Sequence, residues 1–262
     1  MQIPAGLILN GFDAFLLVFV RMTGLFVVAP IFGRKNVPAY FKIGFSFLMS
    51  LILVNTAVVQ SVQYDENLLG YVLLVIKEFM IGLSMGFVAY LTYTAIYIAG
   101  EVIDMQIGFG MVNVMDPISN IQVPITSNVY FIISMLILLA IDGHHMLIKA
   151  LYDSFTSIPP GSAVFDAGLY NGISALFSTV LTTGFKMAAP VLATIIIVDI
   201  ALGTISRMVP QMNIFVIGMP LKIIVGLIIL AITIPMFINV LREVFELMGI
   251  SVADYIKELS PG

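Results

Sequence analysis

Apolar runs long enough to cross a bilayer fill most of this chain, and they restrict what it can fold into. Candidate spans are Ala14–Phe32, Ile43–Val59, Phe79–Gly100, Ile118–Ile141, Ala167–Phe185, Met187–Ser206 and Ile223–Leu241. A helix needs about 20 apolar residues to cross a hydrocarbon core of about 30 Å. Inside lipid every backbone N–H and C=O must be satisfied within the protein, which leaves helices or a closed barrel. The runs are continuous and lack the in–out alternation of a barrel strand. The pattern predicts an all-α membrane protein of about six to seven long, kinked hydrophobic helices. No internal repeat or linker divides it, so residues 1–262 read as a single domain.

Composition removes several function classes. Hydrophobic residues make up 60% of the 262 and charged residues only 10%, against roughly 25% charged in a soluble domain. Net charge is −4 and no basic tract is present, so the electrostatic footprint of a nucleic-acid binder is missing. With no cysteine, disulfides, thiol catalysis and iron–sulfur clusters are excluded. With no tryptophan, interfacial aromatics must come from ten Tyr and nineteen Phe. The first thirteen residues hold no Lys or Arg. A secretory signal opens with a basic region, so this N-terminus reads as mature protein.

Several spans are poor standard membrane helices. Arg21 lies inside the first and Asp199 inside the sixth. Lys186 separates two runs with no polar loop between them, so Ala167–Ser206 reads as one long helix bent near Pro190. Pro235 is placed to kink the last helix. In all, Arg21, Lys77, Glu78, Glu101, Asp104, Lys186, Asp199, Arg207 and Lys222 lie in or beside apolar segments. Burying such groups without partners costs several kcal/mol each. The predicted solution is pairing between helices or with partner subunits, and a proton relay through Asp199 or Glu101 is the alternative. Glu101 and Asp104 stand at i, i+3 and share one side of a helix end, which suits a cation on a neighbouring helix. The loop Gly33–Lys42 carries Arg34, Lys35 and Lys42, and the positive-inside rule places it in the cytoplasm.

Three motifs invite chemistry and are better explained by packing. Gly82-Leu83-Ser84-Met85-Gly86 matches a nucleophile elbow, yet Ser84 sits in an apolar helix rather than a strained strand-to-helix turn. Gly82 and Gly86 instead form a small-residue face for close helix approach. Asp142-Gly143-His144-His145 is the only histidine site. Neighbouring helical residues point about 100° apart, and the His-Glu-x-x-His spacing is absent. The site therefore reads as a polar cap ending the fourth helix, with no metal. In Gly108–Pro117 the third glycine of a dinucleotide loop is replaced by Asn113, and no Gly-Lys-Ser/Thr follows. A flexible apolar loop with two methionines remains, suited to sealing an opening that must sometimes widen.

Pro210-Gln211-Met212-Asn213-Ile214-Phe215, then Gly218-Met219-Pro220-Leu221-Lys222-Ile223, place a polar turn and a lone lysine between long apolar segments. They close an ordered set of landmarks. Arg21 comes first, then Pro30-x-Phe32-Gly33 with Val37-Pro38, and Glu78 with Gly82 and Gly86. Gly100-Glu101-x-x-Asp104-x-Gln106-x-Gly108, Asp116-Pro117, Asp142-Gly143-His144, Ser154-Phe155 and Pro159 follow. The whole chain resembles the FliR/SctT family of type III secretion export-gate proteins, and the Pro210 region looks more like the flagellar branch. Lys42 stands where the family commonly shows Arg, which keeps the charge.

The resemblance implies a single-copy subunit of the export gate in the flagellar basal body of the bacterial inner membrane. FliP-like and FliQ-like subunits would join it in a hetero-oligomer of helical hairpins, largely lifted above the membrane plane. An FlhB-like switch subunit would contact it, and exported flagellar proteins would pass through the channel it helps line. Gly108, Phe109, Gly110, Met111, Asn113 and Met115 would form a channel plug. Glycines let such a loop rearrange, and Met and Phe exclude water and ions when it is closed. Gln211 and Asn213 would hold a turn or a subunit contact, and Lys222 and Arg207 would pair with carboxylates at interfaces. No cofactor and no catalysis are implied. The competing reading is a stand-alone secondary transporter or proton channel using buried carboxylates. That reading requires broken helices at the midplane, which Pro190 with Asp199 and the Pro210–Pro220 region could supply.

Overall fold

The computed structural model describes residues 5–34, 36–54, 68–109, 124–165, 167–211 and 213–261. Its elements are α1 (Ala5–Val28), α2 (Ala39–Val54), α3 (Leu68–Ile107), α4 (Ile125–Ala140), α5 (Gly143–Ser157), α6 (Ala167–Met208) and α7 (Ile214–Leu259). Proline punctuates them. Residues before a proline disfavour helical dihedrals, and α1, α5 and α6 each end two residues before a proline, Pro30, Pro159 and Pro210. Pro38 and Pro124 stand immediately before α2 and α4, where a missing N–H costs nothing.

Two differences from the sequence expectation stand out. The first is helix length: α3 and α7, with 40 and 46 residues, exceed the spans expected for them, while α6, with 42, matches the long helix expected over Ala167–Ser206. At about 1.5 Å per residue each is about 60–70 Å long, roughly twice the ~30 Å hydrocarbon core. The helical assignment of α6 continues through Pro190, and that of α7 through Pro220 and Pro235. The second difference is α5. His144 and His145 do not cap the fourth helix; they lie in the first turn of a separate one. Hydropathy overlooks α5 because it is amphipathic, burying Leu147, Leu151, Ser154 and Phe155 and turning Lys149 and Asp153 outward. Among the described residues three helices, α3, α6 and α7, are long and apolar enough to cross a membrane, or four if α4 and α5 count as one broken span.

The chain divides into two compact units. One comprises Met1–Thr92, Ile141–Phe177 and Glu246–Gly262, and the other Tyr93–Ala140 and Ser178–Phe245. In the first unit, Leu17, Met22, Leu25 and Phe26 of α1 are buried with Ile81 and Met85 of α3 and Phe155 of α5. The α1–α3 crossing is very close. A Cβ on Gly82 would collide with the Arg21 carbonyl oxygen, and one on Gly86 would stand 2.8 Å from that of Leu25. Helix α2 lies on α1 through edge-to-face rings, Phe15–Phe47 at 5.3 Å and Phe26–Phe45 at 5.2 Å.

In the second unit Tyr130 stacks on Phe237 at 3.8 Å, and Tyr93 meets Phe131 edge-on at 5.4 Å. Gly100 lets α3 approach α4 so closely that a Cβ there would strike the backbone of Ser127. Much of the apolar surface stays uncovered. The most apolar windows of α6 and α7 are only 22% and 11% buried, against 39% for α3.

Candidate functional site

The largest fully buried polar group is Arg21, which lies with Glu78 at 0% side-chain exposure. Its Nε donates to Glu78 Oε2 at 2.6 Å. Nη1 donates to the Ser154 carbonyl and hydroxyl oxygens at 3.1 and 3.2 Å, and Nη2 to the Ile158 carbonyl at 3.0 Å. The Phe155 ring covers the guanidinium, 4.2 Å from Cζ to centroid. Glu78 Oε1 accepts the Gly161 N–H at 2.9 Å, and Lys77 Nζ donates to the Gly161 carbonyl at 2.9 Å. Gly161 has φ 88°, a conformation glycine supplies without strain. The cluster thus fastens α1, α3, α5 and the Pro159-Pro160-Gly161 turn at one point. Nearby, Val164 N–H donates to the Leu259 carbonyl at 3.1 Å and Ser260 Oγ to that of Ser157 at 2.8 Å, tying in the end of α7. Sequence reasoning set Arg21 and Glu78 apart as buried charges but not their acceptors. Ser154 and Ile158 lie 133 and 137 residues from Arg21, and no spacing rule links them.

Asp104 is the third buried charged residue among those described, 4% exposed. The expected cation partner is not what it meets. Both carboxylate oxygens accept the Thr126 N–H at 3.0 Å. Thr126 is in the first turn of α4, where unpaired N–H groups and the positive end of the helix dipole attract an anion. A backbone N–H at a helix terminus carries no side-chain signature in the sequence. Glu101, one turn earlier, is half-buried. The Asp104 carbonyl also accepts the N–H groups of Gly108 and Phe109 at 3.1 and 3.0 Å, closing α3, with Gly108 at φ 99°. Gly110, Met111, Asn113 and Met115 lie outside the described residues.

Lys222 of α7 and Asp199 of α6 form an ion pair in which the side chains remain 25% and 38% exposed. The carboxylate facing Lys222 therefore belongs to this chain, a pairing the sequence did not specify. Around the pair, Ile196, Ile197, Ile200, Leu221 and Ile224 are all exposed. Arg207 is exposed in the last turn of α6, where a cation complements the helix dipole. Gln211 and Asn213 are exposed between α6 and α7, and the Asn213 carbonyl accepts the Val216 N–H at 3.2 Å.

The remaining motifs separate cleanly. Ser84 Oγ donates to the Ile81 carbonyl at 2.9 Å within its own helix turn, a back-bond that serves no nucleophile. His144 and His145 do not diverge as the helical argument required. Their ring centroids are 4.2 Å apart, because side-chain torsions at a helix start can offset the 100° step.

The sequence profile described as "Bacterial export proteins, family 1" matches residues 12–248. The flagellar biosynthetic protein FliR of Bacillus subtilis (strain 168) is 39% identical over 244 residues, covering 92% of this chain and 93% of its own. FliR of Escherichia coli (strain K12) is 26% identical over 259 residues, covering 99% and 98%. FliR of Aquifex aeolicus (strain VF5) is 27% identical over 233 residues, covering 88% and 89%. The all-α membrane fold and the profile match across almost the whole chain agree: this chain belongs to the FliR/SctT family of bacterial export proteins.

Proposed function

We propose that the chain is a structural and gating subunit of the flagellar protein export apparatus. In this reading it is a multi-pass inner-membrane protein of the basal body, assembled with FliP-like and FliQ-like subunits and an FlhB-like switch subunit, and flagellar proteins pass through the channel. The observation that carries it is the state of α6 and α7. Each is about twice as long as a bilayer requires, their apolar windows are 22% and 11% buried, and they hold a half-exposed ion pair among exposed isoleucines. Such helices need protein around them. Residues 108–117 act in this proposal as the plug that seals the channel, Gly108 turning the chain out of α3.

Co-purification from solubilised membranes, followed by native mass spectrometry, tests the assembly. A defined hetero-oligomer with FliP-like and FliQ-like subunits is expected; a stable monomer or homodimer made with those partners present refutes it. Deleting Gly110–Asn113 tests the plug, and unchanged ion leakage across the inner membrane refutes that role. The transporter reading is less well supported. It needs interrupted helices at Pro190 and in the Pro210–Pro220 region; Pro190 lies within continuous helix, and the interruption between Met208 and Ile214 is a turn joining α6 to α7 rather than a break within a span.

A further inference from the structure

The Asp142–His145 turn, which opens α5, plays no part in the export reading. Asp142, His144 and His145 each bring a ligand atom within 4.8 Å of the other two. His145 Nδ1 stands 3.5 Å from Asp142 Oδ1, and the imidazole rings are 4.2 Å apart with a tilt of 36°. Two features of the turn have no explanation in hydrogen bonding. Asp142 occupies the N-cap position of α5 with left-handed dihedrals, φ 57° and ψ 29°, and its carboxylate makes no capping hydrogen bond. Aspartate is among the best N-caps, and left-handed backbone costs a non-glycine residue on the order of 1 kcal/mol. A carboxylate aimed at His145 instead has been given other work. His144 Nδ1, in turn, is buried with no hydrogen-bond partner, and an orphaned polar atom of this kind is rare in folded proteins.

We propose that Asp142, His144 and His145 form a binding site for a zinc-class divalent transition metal. Two imidazoles and one carboxylate are a donor set for Zn²⁺, Ni²⁺ or Cu²⁺ rather than for Mg²⁺ or Ca²⁺, which take oxygen ligands. Ligand atoms on one tetrahedral zinc lie about 3.3 Å apart, given bonds of about 2.0 Å. Asp142 and His145 are 71% and 69% exposed, which leaves their side chains room to turn toward that spacing. The fourth position falls to water. Coordination engages a ring nitrogen of His144 and the carboxylate that does not cap the helix.

The test is equilibrium dialysis of the purified full chain, without a polyhistidine tag, against Zn²⁺, together with Co²⁺ titration followed by visible absorption. One equivalent per chain is expected, with the intense visible bands of tetrahedral Co²⁺ and a Zn²⁺-dependent rise in thermal midpoint. Asp142→Asn, His144→Gln and His145→Gln should each weaken Zn²⁺ binding about 10-fold or more. The triple variant, whose unchanged midpoint without metal shows that it folds, should bind none. Less than one equivalent at saturating Zn²⁺, or equal binding by the folded triple variant, overturns the site. Neither outcome bears on the export reading, which rests on α6 and α7.

Discussion

Replacing Glu78 by Gln removes one charge from the first unit and leaves its shape intact. The glutamine oxygen can still accept from Gly161 N–H, as Glu78 Oε1 does at 2.9 Å, but its NH2 then faces the Arg21 Nε–H, so the loss is the compensating charge together with the 2.6 Å hydrogen bond. Arg21 is wholly buried, and its guanidinium then lacks a carboxylate partner. Removing one member of a buried pair costs about 3–5 kcal/mol, and retention of the Ser154 and Ile158 carbonyl acceptors puts E78Q near the lower end, about 3 kcal/mol. Against a total stability of about 5–15 kcal/mol that is a large fraction. The double variant Arg21→Met with Glu78→Leu should behave differently. An apolar replacement of a whole buried pair is often neutral. Ser154 keeps a partner for its carbonyl, the Ile158 N–H at 2.8 Å, while the Gly161 N–H and the Ile158 carbonyl are orphaned at about 1–3 kcal/mol each. The double variant should therefore fall at least about 2 kcal/mol short of the sum of the single losses. Reversible denaturation of the purified chain in detergent measures wild type, Glu78→Gln, Arg21→Met, Glu78→Leu and the double variant. Additive losses, or an E78Q loss below about 1 kcal/mol, would falsify the reasoning.

Gly82→Ala should destabilise by about 1–3 kcal/mol through overpacking at the α1–α3 crossing, whereas Gly44→Ala, with open space around its Cβ, should be neutral or stabilising in the same denaturation assay. Equal effects at the two glycines would show that the crossing can relax. Asp104→Asn should cost about 1–2 kcal/mol by weakening the charge at the α4 N-terminus, and an unchanged midpoint would mean that water replaces the carboxylate there. For Asp199 and Lys222, either Asp199→Asn or Lys222→Met alone should reduce the yield of assembled complex, and the two together should restore it. Wild-type assembly with both singles, or no rescue in the double variant, would refute pairing as their role.

How much of this was legible in the sequence follows from the range of the physics involved. Hydropathy is local, so the helical membrane character of the chain and the continuity of Ala167–Ser206 could be read directly. Amphipathic periodicity is also local, but the 15 residues of α5 fall below any spanning window, so no helix was expected there and Asp142–His145 read as a polar cap on the preceding one. Buried charges announce themselves by type, which is why Arg21, Glu78, Asp104, Asp199 and Lys222 stood out. Their partners do not, because Arg21 bonds to backbone carbonyls and Asp104 to a backbone N–H, groups that every residue carries. The lengths of α3 and α7 were underestimated for a related reason. A search for 20-residue spans stops at the first charge, and Arg242, Glu243 and Glu246 cluster where α7 keeps Val244, Phe245 and Met248 inside.

The uncovered faces of α6 and α7 lead to the last prediction. Ile196, Ile197 and Ile200 on one helix, and Ile224, Leu227, Ile228 and Ile232 on the other, are 49% exposed or more. Lipid alone is a poor cover for them. The Asp199–Lys222 pair among these residues is 25–38% exposed, and charges facing hydrocarbon cost several kcal/mol. Helices of about 60–70 Å also extend well beyond a core of about 30 Å, and an isoleucine stripe facing water would be an aggregation site. Only neighbouring protein satisfies both ends of that argument. A photoreactive residue at Ile200 or Ile228 should therefore crosslink to another polypeptide in intact membranes, and one at Phe12, at the lipid-length helix α1, serves as the comparison. Polypeptide adducts at Ile200 and Ile228 in high yield would place subunits against this face. Lipid adducts alone would return α6 and α7 to the bilayer and remove the main support for an assembled gate.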